Sequence, residues 1–144
     1  RAVGASFPLP GCAPGNGEEL IDLQPDARIA WWQRHGQSIT VPLFALVAAP
    51  EPDRVSPATR ASYRQLAKID VRNDGKLLWQ DQIPPRSYLL GYVNADHWSI
   101  AVPVAAEIPQ AAFLFRDDTP RAALIGGALD VVARTLADSA AGGS

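Results

Sequence analysis

Asp74 and His97 are the two residues of this 144-residue chain whose types and spacing could perform chemistry. Asp74 lies in the turn-forming sequence Asn73-Asp74-Gly75, and His97 follows it by 23 residues, directly after an apolar segment. An imidazole exchanges protons near neutral pH, and a carboxylate held against one ring nitrogen leaves the other nitrogen to accept a proton. The pair therefore indicates general-base chemistry, provided that the fold brings the two side chains together.

A second aspartate, Asp96, is a rival for the acid because it directly precedes His97. We prefer Asp74, because a residue adjacent to the histidine in sequence usually points away from its ring, and the glycine after Asp74 suits a tight turn. Both residues also have a purely structural interpretation. Asp74 could be the tip of a β-hairpin whose strands are 69–71 and 76–79. His97 could be only a polar residue that follows a strand.

Two apolar segments predict the strands that would position these residues. Val41 to Ala49 is a nearly continuous apolar run, and Ser87 to Val93 is a second one that ends at polar sequence just before His97. Runs of this length are typical of parallel strands that are covered on both faces. Reactive groups collect at the carboxyl ends of parallel strands, so an α/β fold would place Asp74 and His97 in one crevice.

Three helices are predicted around these strands: from Asp26 to Gly36, from Ser56-Pro57 through Leu66, and from Thr119-Pro120 through Leu136. Aspartate, serine and threonine cap helix N-termini, and proline suits the first helical turn. Residues 1–17 are rich in proline and glycine and predict an irregular segment. Residues 138–144 predict a flexible tail.

The composition is typical of a folded protein and disfavours binding to nucleic acid. Hydrophobic residues make up 47% of the chain, and the formal net charge of −2 comes from charges scattered along it, without the basic stripe that nucleic acid requires. The longest apolar stretch is far shorter than the roughly 20 residues that span a bilayer. The chain contains no methionine, so we expect it to be a mature product or a trimmed piece with sequence missing upstream.

No cofactor or metal ion is expected from the side chains that could bind one. The two histidines, His35 and His97, are distant in sequence from each other and from the single cysteine, Cys12. His35 is more simply explained as a helix-end residue that interacts with backbone carbonyls. One cysteine cannot form an internal disulfide, so the cellular compartment stays open.

Three segments resemble parts of the bacterial lipase-like and esterase-like α/β-hydrolases. Asn73 to Leu78 resembles the asparagine-aspartate-glycine turn that carries the triad acid in that family. Leu90 to Trp98 resembles its last strand and the aspartate-histidine pair whose histidine is the triad base. Pro120 to Arg134 is similar to the closing helix. The resemblance, which extends from Ile39 to Ala137, implies the C-terminal part of an α/β-hydrolase sheet with flanking helices. The alternative is a small α+β domain.

The resemblance implies that Asp74 and His97 are the acid and base of a Ser-His-Asp triad that hydrolyses carboxylic esters. The nucleophile of such enzymes lies in a Gly-x-Ser-x-Gly turn, which the chain lacks, since Ser6 in Gly4 to Pro8 has no second glycine. The family pattern therefore places the nucleophile on an upstream segment or a separate chain and predicts that the isolated chain is inactive. Residues 1–144 would be a single domain or the C-terminal half of a larger hydrolase domain, and the substrate a small ester or lipid.

The alternative function is that of a non-catalytic extracytoplasmic binding or accessory domain, and two expectations separate it from the hydrolase. A hydrolase needs Asp74 and His97 within hydrogen-bonding reach, about 2.6 to 3.2 Å. In an accessory domain nothing would hold them together. A partial hydrolase should also expose strand edges and an apolar face that another segment covers.

Overall fold

The computed structural model describes residues 24–141. The predicted irregular segment 1–17, with Ser6 and Cys12, lies outside the described residues. The chain divides between Val41 and Pro42 into two compact units.

The described part of the first unit contains helix α1, Pro25–His35. The predicted helix is therefore confirmed, but its cap is Gln24 and not Asp26. Pro25 takes the first helical position because its fixed φ suits a helix and its missing N–H is not needed there. Asp26 lies within the first turn instead, where the partial positive charge of the helix N-terminus stabilises a carboxylate.

The second unit is built on two parallel strands, β1 (Leu43–Ala48) and β2 (Ser87–Val93). Both predicted strands are confirmed, and β2 has the predicted bounds. Their pairing runs from Leu43 opposite Ser87 to Ala48 opposite Val93. Because the strands are parallel, both carboxyl ends lie at the same edge of the sheet. The segment after Ala48 that leads to Asp74 and the segment after Val93 that leads to His97 therefore leave from one edge.

A β-bulge interrupts this pairing beside Gly91. Ala45 lies opposite Leu89. The next residue, Leu46, lies opposite Gly91, so Leu90 is an extra residue in β2. Gly91 has a φ of 155°, which residues with a side chain rarely adopt, and this explains why a glycine stands at the bulge.

The described part of the second unit also contains four helices: α2 (Arg60–Leu66), α3 (His97–Ala101), α4 (Val104–Glu107) and α5 (Arg121–Ala141). The helix predicted to start at Ser56-Pro57 begins later, with Thr59 at its cap position. Ser56 forms the turn before it, in which its carbonyl accepts a hydrogen bond from the Thr59 amide at 3.0 Å. Short 3-10 turns lie at Pro52–Arg54, Trp79–Gln82 and Pro109–Ala111.

The predicted amphipathic helix after Thr119-Pro120 is present as α5, and it is longer than expected. It continues through Ala141 and so includes the first residues of the segment 138–144 that the sequence predicts as a flexible tail. Alanine has the highest helix propensity of all residues, which explains why the alanine-rich end of α5 stays helical. Among residues 24–141, no helix combines the length and the hydrophobicity needed to cross a membrane.

The turn at Asn73-Asp74-Gly75 is present, but the hairpin that local sequence predicts around it is not. Its flanks make a single antiparallel bridge, between Asn73 and Leu78, and neither flank forms a described strand. Two backbone hydrogen bonds join the flanks, from the Asp74 amide to the Leu77 carbonyl at 3.1 Å and from the Trp79 amide to the Arg72 carbonyl at 2.9 Å, and side-chain hydrogen bonds complete the turn.

The second unit has a small core and a large exposed apolar surface. Seven hydrophobic residues of the described chain are buried: Ala45, Val47, Ala48, Val55, Tyr63, Val93 and Ala95. Tyr88 and Tyr92 on β2 are 56% and 51% exposed, although the sequence predicts a strand covered on both faces. An open apolar groove of about 330 Å³ lies between the sheet and α5, lined by Phe44, Leu46, Leu90, Ile125, Ala128, Leu129 and Val132.

On the side of β1 away from β2, the side chain of Gln82 pairs with the strand at Ala48. The amide of Gln82 accepts a hydrogen bond from the Ala48 N–H at 2.8 Å and donates one to the Ala48 carbonyl at 2.9 Å. This is the pairing that a neighbouring strand would make, and it protects the carboxyl end of β1. Among the described residues, β1 pairs with no strand other than β2.

We expect the isolated chain to self-associate through this exposed apolar surface. The double substitution Ile125→Gln, Leu129→Gln should reduce the association, because both residues line the groove and are more than half exposed. Sedimentation velocity at increasing concentration measures this, with Arg134→Gln on the same helix as the control. An isolated chain that is monomeric and unfolds cooperatively would contradict the interpretation that another segment covers the groove.

Candidate functional site

Asp74 and His97 meet at the edge of the sheet where β1 and β2 end. The Nδ1 atom of His97 lies 2.8 Å from Oδ2 of Asp74, and the backbone N–H of His97 donates to the Asp74 carbonyl at 2.9 Å. The expectation that the two side chains come within hydrogen-bonding reach is confirmed. Two contacts between the same residues, one through side chains and one through the backbone, define both the distance and the orientation of the pair.

The carboxylate of Asp74 is held so that only one of its oxygens faces His97. Its Oδ1 accepts hydrogen bonds from the backbone amides of Lys76 at 2.8 Å and Leu77 at 2.7 Å. The side chain is 3% exposed, so water does not compete for the other oxygen, Oδ2. A side chain that bonds to amides two and three residues ahead stabilises the turn itself, and the same turn therefore aims the acid.

Gly75 and Asn73 shape the turn around Asp74. Gly75 has a φ of 90°, and a Cβ atom there would lie 2.9 Å from the Cβ of Thr59, closer than such atoms approach each other. The buried Asn73 side chain accepts from the Gly75 amide at 3.0 Å and donates to the Asp70 carbonyl at 3.1 Å. Sequence reasoning identified the turn but not this role of the Asn73 amide, whose signal is the preference of asparagine for bonding to nearby backbone.

Asp70, Arg72 and Trp79 form a cluster next to the turn that carries Asp74. The carboxylate of Asp70 accepts hydrogen bonds from the Arg72 guanidinium at 2.9 and 3.1 Å and from the Trp79 indole at 3.0 Å. The guanidinium also lies over the Trp79 ring, 4.6 Å from its centre. Hydrogen bonds from the Arg72 side chain and backbone lower the pKa of Asp70 to about 2. The cluster joins the segments before and after Asp74.

His97 is the first residue of α3 and presents its second ring nitrogen to solvent. Its side chain is 36% exposed, and no group within residues 24–141 hydrogen-bonds to Nε2. With the Asp74 carboxylate accepting from Nδ1, the neutral ring carries its proton on Nδ1 and a free electron pair on Nε2. The arrangement can therefore remove a proton from a group that approaches Nε2.

Asp96, the rival acid, is directed away from this pair. Its Oδ1 accepts from the amides of Trp98 at 3.2 Å and Ser99 at 3.0 Å, and its Oδ2 accepts from the Ser56 amide at 2.5 Å and the Thr59 hydroxyl at 3.1 Å. Burial would raise the pKa of Asp96, but the hydrogen bonds from Ser56, Ser99 and Thr59 hold the pKa below its usual range. Since both oxygens are occupied by other donors, Asp74 is the aspartate that pairs with the imidazole.

The remaining sequence candidates belong to the first unit or lie outside the described residues. His35 is the last residue of α1 in the first unit, where its ring lies 5.3 Å from that of Trp31. In the part of the chain that the structure describes, no cluster of histidine, cysteine, aspartate and glutamate side chains is arranged to hold a metal ion. No serine hydroxyl of residues 24–141 is bonded to Nε2 of His97.

Comparison with known proteins shows that the chain is similar to part of an esterase structure. No protein-family model matches the sequence. No curated protein matches it either. The chain is similar to the crystal structure of a metagenomic carboxyl esterase, with 32% sequence identity and a TM-score of 0.80 over 90% of this chain. The chain spans 40% of the length of that esterase. The expected α/β class is confirmed, and the architecture is similar to that of an esterase fragment.

We expect Gly75→Ala to loosen the turn that aims Asp74. The left-handed φ and the contact with Thr59 strain any side chain at this position, by about 1 to 3 kcal/mol for the backbone alone. Amide hydrogen exchange of Lys76 and Leu77 should therefore become faster by about 5- to 150-fold. Hydrogen-exchange mass spectrometry or NMR measures this local opening.

The matched control for this substitution is Gly126→Ala on α5. Apart from its chain neighbours and the helix's own nearby backbone, no described atom lies within 4 Å of a Cβ at Gly126, and alanine favours a helix over glycine. The control should leave the exchange of Lys76 and Leu77 unchanged. Equal exchange in wild type and Gly75→Ala would show that the turn does not depend on its glycine.

Proposed function

We propose that the chain supplies the acid and the base of a serine hydrolase that cleaves carboxylic esters, with Asp74 as the acid and His97 as the base. The observation that carries the proposal is the 2.8 Å contact between His97 Nδ1 and the buried Asp74 carboxylate, combined with the open Nε2. The likeness to a carboxyl esterase supports the reaction class.

The proposed reaction has two half-reactions, and His97 moves one proton in each. Nε2 takes the proton of a serine hydroxyl as the serine oxygen bonds to the ester carbonyl carbon, and the imidazolium then returns that proton to the departing alkoxide. In the second half Nε2 takes a proton from water as it attacks the acyl-serine, and the proton returns to the serine. The Asp74 carboxylate stabilises each transient imidazolium and holds the ring in place.

The serine nucleophile belongs, in this proposal, to an upstream segment or a separate chain. Two observations support this: the 144 residues contain no Gly-x-Ser-x-Gly turn, and the chain spans 40% of the length of the similar esterase. The proposal also implies that the isolated chain does not turn over substrate. We call the chain together with the segment that carries the nucleophile the assembled protein.

The proposed substrate is a small ester or a lipid ester, as in esterases and lipases of bacterial type. Trp98 lies beside His97 with its ring 5.5 Å away and 39% exposed, and it offers an apolar surface next to the base. The alternative of a non-catalytic binding domain provides no reason for the Asp74–His97 contact, and the observed geometry disfavours it. No nucleic acid or cofactor takes part in the proposed reaction.

In the assembled protein, His97→Ala should abolish hydrolysis of a chromogenic short-chain ester, because no proton acceptor remains at the serine. Asp74→Asn should lower kcat by about 10³- to 10⁴-fold, because the amide does not hold the required tautomer. Initial rates with 4-nitrophenyl esters measure both effects.

The matched controls are His35→Ala and Asp81→Asn, which remove the other histidine and an exposed aspartate outside the site. Both should keep the wild-type rate. Full activity in His97→Ala would overturn the proposed role of the histidine, whatever the effect of the controls.

A fluorophosphonate probe should label one serine of the assembled protein, and peptide mapping should place it in a Gly-x-Ser-x-Gly sequence outside these 144 residues. The probe reacts with a serine that a neighbouring base activates, so His97→Ala should abolish labelling. A labelled serine within residues 1–144 would refute the proposed location of the nucleophile. Absence of any label in active protein would refute the serine mechanism.

A further inference from the structure

We propose that Asp96 is a positioning residue, whose carboxylate sets the place of the His97 ring relative to Asp74; the inference rests on the proposed function. The observation behind it is that its two carboxylate oxygens have different hydrogen-bond partners. Each oxygen accepts hydrogen bonds from a different segment of the chain. The carboxylate itself is completely buried.

The first oxygen, Oδ1, sets the start of α3. It accepts from the amides of Trp98 and Ser99, while the Ser99 hydroxyl accepts from the Asp96 amide at 3.0 Å, so that the two residues form a reciprocal capping box. Helix α3 has five residues and is too short to be stable by itself. The cap therefore decides where the helix begins, and the first residue of that helix is His97.

The second oxygen, Oδ2, ties that helix start to a distant segment. It accepts from the Ser56 amide and the Thr59 hydroxyl, 40 and 37 residues earlier in the chain. Both of these residues are completely buried. The Ser56 hydroxyl in turn accepts from the Arg116 amide at 2.9 Å, which fixes the segment from a further side. Helix α3 is thereby anchored to the loop that precedes α2.

The same loop touches the turn that carries the acid. A Cβ atom at Gly75 would meet the Cβ of Thr59, so the backbone after Asp74 lies directly against Thr59. Thr59 thus contacts the acid turn through its methyl-bearing carbon and Asp96 through its hydroxyl. One short path of contacts, from Gly75 through Thr59 and Asp96, joins the acid to the base independently of their own hydrogen bond.

The polar groups of this path all make hydrogen bonds, and this allows the path to fix the distance between Asp74 and His97. A buried carboxylate with four donors has little freedom to rotate, and losing one acceptor leaves a buried donor unpaired. A general base must lie within hydrogen-bonding reach of the serine hydroxyl, and misplacement by about 1 Å can cost about 100-fold in rate. Asp96 acts through His97 and contacts no substrate in this proposal.

The test uses Asp96→Asn and Thr59→Val in the assembled protein. The asparagine keeps the size of the side chain and one capping oxygen. Whichever way its amide turns, however, its NH2 group faces donors whose hydrogen bonds the carboxylate had accepted. Thr59→Val removes only the hydroxyl and keeps the shape. We expect kcat per active site to fall by about 10- to 100-fold in Asp96→Asn and by about 3- to 10-fold in Thr59→Val. KM should change by less than about twofold.

Active sites are counted by titration with the fluorophosphonate probe, so that misfolded molecules do not lower the measured kcat. Thr59→Ser retains the hydroxyl and should restore the rate lost in Thr59→Val. Ser62→Ala, which removes a hydroxyl of α2 bonded to the Thr59 carbonyl and not to Asp96, is the control on the same segment. The downfield proton resonance of His97 Nδ1–H should broaden or shift in Asp96→Asn and stay in place in Ser62→Ala.

Measurements on His97→Ala in parallel separate this inference from the proposed function. If His97→Ala is inactive while Asp96→Asn and Thr59→Val keep the wild-type kcat per titrated site, the positioning role of Asp96 is refuted and the proposed function stands. A loss of titratable sites with an unchanged kcat per site would assign Asp96 to folding alone and would also refute the inference. If His97→Ala is fully active, the proposed function itself fails.

Discussion

The parallel pairing of β1 with β2 is the constraint on which the candidate site depends. In a parallel pair both chains leave the sheet at the same edge, so residues far apart in sequence start from neighbouring positions. The bulge at Gly91 adjusts the register without breaking the pairing, and the Ala49 amide still bonds to the Val93 carbonyl at 2.9 Å. The connection that leaves β1 comes back to this edge at Asp74, and the connection that leaves β2 begins α3 at His97. The contact between Asp74 and His97 therefore follows from the topology.

Polar groups, and not an apolar core, hold the two connections in place. Within the described chain six polar side chains of this region are almost completely buried: Ser56, Thr59, Asn73, Asp74, Asp96 and Ser99. Each of them makes hydrogen bonds to another member or to nearby backbone. Burying such groups is unfavourable unless they are paired, and once paired they allow few alternative arrangements. Such a cluster suits a site where the direction of a ring nitrogen matters more than net stability.

The apolar surface of the second unit is exposed, in contrast to the buried polar cluster. Its groove between the sheet and α5 is open, and the described part of β2 has exposed tyrosine rings where a covered strand would have contacts. The chain spans 40% of the similar esterase, whose fold extends well beyond the matched region. An ordered polar site, together with an apolar face that the described residues leave exposed, agrees with the proposal that the chain is part of a larger hydrolase.

The sequence by itself predicted both strands, three of the five described helices and the candidate pair Asp74 and His97, but not the short helices α3 and α4. The apolar runs at 41–49 and 87–93 predicted both strands, because continuous burial leaves a continuous apolar pattern. The capping residues and prolines predicted three helices to within a few positions. The order of an acid turn and a histidine after a strand identified Asp74 and His97, since these signals are local in the chain.

Tertiary structure alone decided which contacts these residues make. It replaced the hairpin strands at Asp74 by a turn with a single backbone bridge and several side-chain hydrogen bonds, and it showed Asp96 facing Ser56 and Thr59 and not the His97 ring. A local sequence pattern indicates backbone preference and burial, but it does not indicate which distant donor will hydrogen-bond to a carboxylate. The hydrogen bonds from Ser56 and Thr59 to Asp96 cross 40 and 37 residues of the chain, because these residues follow β1 and Asp96 follows β2, and the parallel pairing of the two strands exists only in the folded chain.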